Sequence, residues 1–165
     1  MNAMLTSLFN KCRTKQLKLR VWNNRLQKQW RLLAPEISPW VNCSLDVNWG
    51  PFYSGAMLID RRFKKAKLIV QIPYDGYLTV DEQQILTRFS LTKSALPYFI
   101  FYHEVSHLLD IMPFIRCSDH EGLLHYIASH KQMAAAAASY KDLSFEERAD
   151  RYAHRMVMKN GRQAG

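Results

Sequence analysis

The 165-residue chain is 48% hydrophobic and 22% charged, enough for one compact core and too little for two ordinary domains, so residues 1–165 read as a single globular unit. No window approaches the roughly 18 consecutive apolar residues of a membrane span; the longest uncharged apolar run is Ala95 to Tyr102, which excludes a spanning helix. A net charge of +9 and a pI near 9.6 suit nucleic acid, acidic protein or anionic lipid without choosing among them, and no zinc-finger spacing, aromatic RNP-type signature or helix-turn-helix favours specific nucleic-acid recognition.

The N-terminal stretch MNAMLTSLFNKCRTK has neither a basic start followed by a long apolar run nor a small-residue cleavage site, which reads as an intracellular, cytoplasmic protein. Cys12, Cys43 and Cys117 are odd in number and share no spacing, as reduced thiols would be. Cys117 and His120 have the spacing of a ligand pair, but without a second pair Cys117 reads as a buried thiol.

From about Thr14 to Leu33, Leu17, Val21, Trp22, Leu26, Trp30 and Leu33 recur at helical spacing among lysines and arginines, predicting an amphipathic helix ended by Pro35 and Pro39. The alternation of Cys43, Leu45, Val47 and Trp49 predicts a strand. GPFYSG follows as a turn or bulge, then AMLID and KLIVQIP as β-rich runs joined by the basic connector Arg61 to Lys67, together a small, mainly antiparallel sheet. Thr79 or Asp81 can cap a helix entering at Glu82. Helices are expected over Ser94 to about Ile111, with Pro97 in the first turn, over Ser118 to about Ser139, including an alanine run, and over Ser144 to about Lys159. The class is α+β.

The helix expected from Ser94 carries the most informative residues. In YFIFYHEVSHLLD, His103 and His107 lie four apart and therefore on one face of a helix, where two imidazole nitrogens can converge about 2.0–2.1 Å from a zinc ion. Glu104 follows the first histidine, in position to take a proton from a water at such a site. The apolar residues around the motif predict burial, where unsatisfied imidazoles and a carboxylate are unfavourable. A third ligand is needed. Glu146 in FEERADRYAHRM is one candidate, with Asp150 one turn on to accept the second N–H of a ligating histidine and fix its tautomer. The same acids, with Glu147, also suit a helix N-terminus or pairing with Arg148 and Arg151. His120 in CSDHEGLLH is the competing ligand, reached through a loop containing Pro113. His125 and His130 read as surface or packing residues. Tyr152, His154 and Arg155 are oxyanion donors by position alone.

The motif His103-Glu104-Val105-Ser106-His107, followed by Glu146-Glu147-Arg148-Ala149-Asp150, resembles the zinc helix and downstream E-x-x-A-D segment of zincin metallopeptidases, particularly minimal gluzincins such as HtpX-like and ImmA/IrrE-like peptidases. The resemblance implies a zincin-like fold with an N-terminal helix, a zinc-binding helix and a C-terminal ligand-bearing helix. It also implies Zn2+ held by His103, His107 and Glu146, hydrolysis of a protein or peptide substrate with Glu104 as general base, endopeptidase more than exopeptidase action, and Asp150 behind a ligand. A weaker similarity to SprT-like proteins runs through YSGAMLID and KLIVQIP and places His120 at their third-histidine position; the cysteine-rich ribbon of many such proteins is absent. Extended substrate would pair with the strand KLIVQIP. Three functions are compatible: a zinc peptidase, a metal-stabilised binding module without catalysis, and a protease associated with nucleic acid.

Overall fold

The computed structural model describes residues 2–137 and 143–161. Its elements run α1 (Asn2–Ile37), β1 (Asn42–Gly50), β2 (Ser54–Ile59), β3 (Lys65–Pro73), α2 (Val80–Phe89), a 3₁₀ turn (Lys93–Ala95), α3 (Leu96–Arg116), α4 (His120–Ala136) and α5 (Ser144–Gly161). The architecture is mixed α+β, with an N-terminal helix and a small sheet as expected. Among the described residues no helix is long and apolar enough to cross a membrane. The Cys12 side chain and the end of the alanine run, where the sequence predicts helix as far as Ser139, lie outside the described residues.

The inner face of α1 is set by a repeat of three and four: Leu26, Trp30 and Ile37 are buried, with Leu19, Trp22 and Leu33 packed beside them. Leu17 and Val21 fall off this face and are exposed. Pro35 does not end the helix but sits in its last turn. The lost proline N–H is offset there by burial of Ile37 and by the Ser38 N–H donated to the Ala34 carbonyl at 2.8 Å.

The sheet is not mainly antiparallel. Its order is β1-β3-β2, with β1 parallel to β3 from Asn42/Lys65 to Gly50/Pro73 and β2 antiparallel to β3 from Ser54/Gln71 to Ile59/Ala66. The cause lies in β3, whose Ala66, Leu68, Val70 and Ile72 are all buried. A strand this apolar on one face is best satisfied in the middle of a sheet, with neighbours on both sides. KLIVQIP therefore has no open edge to offer a ligand. The edge strand packed beside α3 is β2.

A capping box starts α2: the Glu82 N–H donates to Thr79 Oγ1, and the Glu82 carboxylate accepts the Thr79 N–H. The other Glu82 oxygen accepts the Tyr53 N–H at 2.6 Å. One buried carboxylate thus ties the start of α2 to the entry of β2.

The core helix, α3, runs through Pro113 to Arg116, where the sequence predicts a loop. Burial of Ile111 and Met112 offsets the about 3 kcal/mol that an interior proline costs. Beyond it Cys117 is exposed rather than buried, and Cys43 is half-buried; both are free thiols. Burial pushes the Cys43 thiol up to about 11, so it is unreactive near neutral pH.

On α5, Ala149 and Ala153 are fully buried, and their small side chains let this helix press against α3. The Tyr102 hydroxyl completes the arrangement, donating to Gln29 Oε1 at 2.9 Å and accepting from Asn160 Nδ2. It joins α1, α3 and α5 at one buried point.

Candidate metal centre

His103 and His107 lie one turn apart on α3, with their Nε2 atoms 3.1 Å from each other. Each alanine that seats α5 on α3 lies three residues beyond one of the two acids, Ala149 after Glu146 and Ala153 after Asp150, so the acids face the same way. Glu146 Oε2 lies 3.0 Å from His103 Nε2, and its Oε1 lies 3.4 Å from His107 Nε2. Ligand atoms taken one from each of these three residues all fall within 4.8 Å of one another. Donors bound at 2.0–2.1 Å to a tetrahedral ion stand about 3.3–3.4 Å apart, close to the 3.0–3.4 Å between the nearest atoms of the three side chains.

Asp150 takes the position expected of a ligand's partner: its Oδ1 is 2.9 Å from His103 Nδ1. With that N–H given to Asp150, a neutral His103 turns the Nε2 lone pair toward Glu146 and His107, where it needs a cation or a proton. Burial works against the charged ring, but the Asp150 and Glu146 carboxylates outweigh it and raise His103 to about 10. In the metal-free protein an imidazolium therefore closes the centre. Because the folded value is raised, its stabilising contribution is complete below about 6.5 and fades as pH rises through about 10. A metal must displace this proton. The affinity for zinc is expected to rise about tenfold per pH unit across the neutral range. Competition titrations at several pH values check this, and a pH-independent affinity would show that no proton leaves.

Glu147 lies a third of a turn away from Glu146 and does something different. It pairs with Arg151 at 2.7 Å and with Arg88 at 3.5 Å, the charge pairing anticipated for an acidic helix start. Arg148 reaches Asp110 at 3.5 Å.

Glu104 is buried beside the histidines. Burial raises its carboxyl above the ordinary value, opposed by charge on His103 and His107 and by the nearby Met57 N–H of β2. A carboxylate made more basic in this way is a better proton acceptor. The space it occupies exists because residue 55 is glycine: a Cβ there would stand 2.5 Å from Glu104 Oε1 and 2.8 Å from Ile100 Cγ2. Gly55→Ala should displace the carboxylate and leave the metal content unchanged, and if the centre is catalytic it should lower turnover about 10²-fold, as misplacement by an ångström does. Steady-state kinetics on the zinc-loaded variant check it, and full activity would mean that Gly55 does not position Glu104.

Two cavities meet at this centre. One of about 730 Å³ lies on the α2 side, lined by Val80, Ile85, Phe99 and Ile100 among others. The other, about 540 Å³, lies on the α4 side and includes Tyr126, His130 and Lys131. His103, Glu104, Glu146 and Gly55 line both.

The remaining sequence candidates are placed elsewhere. Because α3 continues as a helix past His107, nine further residues carry the chain about 13 Å along the axis, and His120 begins α4 with its ring 5.4 Å from Phe63. It lines a separate cavity with Trp40 and Arg116, and the structure does not bring it to His103. His154 stacks on Phe89 with centroids 5.1 Å apart; neither it, Tyr152 nor Arg155 lines either cavity at the centre. His130 does pack, 3.9 Å from the Tyr126 ring and 4.3 Å from Phe145, and it also walls the α4-side cavity. Gly55, the Met57 N–H and Lys131 do not stand out in the sequence. Their roles depend on strand register and helix placement, for which no local signal exists.

No protein-family model, curated protein or solved structure matches this chain.

Proposed function

We propose that the protein is an intracellular zinc-dependent peptidase of the zincin type, with His103, His107 and Glu146 as metal ligands and Glu104 as general base. The observation that supports it most is the convergence of those three ligands beside a buried carboxylate, at the meeting point of two open cavities. Two imidazoles and one carboxylate form a donor set of the catalytic zinc kind, leaving a position for water or substrate. A divalent ion held there lowers the pKa of water and polarises a carbonyl.

The chain's own residues supply the rest. Glu104 accepts a proton from the attacking water and returns it to the departing amine. Asp150 holds His103 in the tautomer that presents Nε2. The open edge of β2 receives an extended backbone by strand pairing, taking the place expected of KLIVQIP. The apolar α2-side cavity accommodates a substrate side chain.

The test is elemental mass spectrometry for bound metal, together with cleavage of casein and a peptide library before and after chelation. The expected result is stoichiometric zinc and cleavage that chelation abolishes and added zinc restores. Wild-type protein that binds no metal, or cleavage indifferent to chelation, would overturn the reading.

A further inference from the structure

The α4-side cavity differs in chemistry from its neighbour. Its walls are largely apolar and aromatic, from Met57, Ile111, Tyr126, Ile127 and Phe145. Its two lining carboxylates belong to Glu104 and Glu146, and both belong to the centre: Glu104 is buried beside the histidines and Glu146 contacts both of them. His130 also has a commitment, its Nδ1–H donated to the Tyr126 carbonyl at 2.8 Å. Lys131 remains. It lines the cavity, is solvent-exposed, and forms no ion pair among the described residues. Its ammonium stands at the rim of apolar walls, where a bound chain that excludes water would strengthen its attraction for an anion.

We infer that the α4 side recognises a carboxylate of the bound polypeptide through Lys131. This rests on the peptidase reading and narrows its substrate class to chains that place a carboxylate on that side of the bond to be cut. The carboxylate comes either from an aspartate or glutamate side chain or from the substrate's own C-terminus. The two cavities flank the centre and share Gly55, His103, Glu104 and Glu146 as lining, which leaves room for chain on both sides, so either source is accessible.

The experiment uses one peptide framework in three forms: an internal Glu with an amidated end, an internal Gln with a free acid end, and an internal Gln with an amidated end. Cleavage is measured with zinc-loaded wild type and Lys131→Glu. Binding of fluorescein-labelled versions is measured by anisotropy on zinc-loaded Glu104→Gln with and without Lys131→Glu. Wild type should favour one carboxylate-bearing form over the doubly neutral peptide roughly tenfold, and Lys131→Glu should abolish or invert that preference with zinc content unchanged. Which form is favoured identifies the source. Cleavage of all three forms alike, with no effect of Lys131→Glu, would overturn the inference and leave the peptidase reading standing. Lys131-dependent binding without any cleavage would support the carboxylate site while removing the peptidase reading. Neither cleavage nor Lys131-dependent binding would overturn both.

Discussion

Glu104→Gln is expected to retain full zinc and to lose about 10²–10⁴-fold in kcat/KM, the range contributed by a positioned general base. The substitution keeps the shape of the side chain and its place beside β2 and the histidines. It removes the basicity that burial confers on the carboxylate. The metal ligands lie on other residues, so the metal load and the fold should be untouched. Kinetics on protein of verified zinc content separate the two properties. Undiminished cleavage would assign the base to another group. A protein in which zinc sustains folding but Glu104→Gln changes nothing, because no hydrolysis occurs, would be the metal-stabilised binding module instead.

Glu146→Ala should strip the metal. Replacing an outer-shell partner of a metal ligand costs roughly 10–100-fold in affinity, so Asp150→Asn is expected in that range and removal of Glu146, proposed as a direct ligand, beyond it. His103→Ala should match Glu146→Ala, whereas His120→Ala should leave zinc unchanged, since His120 sits against Phe63 in a different cavity. Competition titration with a chelator of known affinity ranks the four variants. Zinc that persisted in Glu146→Ala and vanished in His120→Ala would transfer the third ligand to His120 and require α3 to break before Pro113.

The part of this centre legible in the sequence is the local part. Residues four apart on a helix share a face whatever surrounds them, so the pairings His103 with His107 and Glu146 with Asp150 follow from spacing alone. That α5 presses the second pair onto the first depends on the buried Ala149 and Ala153, and two alanines four apart do not by themselves say which helix they face. Proline misleads in the same way. Both Pro35 and Pro113 lie inside helices, because burial of Ile37 in one case and of Ile111 and Met112 in the other outweighs a local preference. The continuation through Pro113 also decides where His120 goes. Strand order is out of reach of the sequence: short apolar runs do not state their neighbours, and the central place of β3 comes from the core that its four inward residues find. For the same reason Gly55 looks like part of a turn, although it lies within β2 facing the carboxylate.

The place of β2 at the edge of the sheet has a consequence for the protein in solution. A strand edge left open for one visiting chain is equally open to the same edge of another copy, the usual route to aggregation. Gly55 weakens this strand as a template, and the excess positive charge makes two copies repel before their edges can meet. The basic composition thereby gives colloidal protection to this edge.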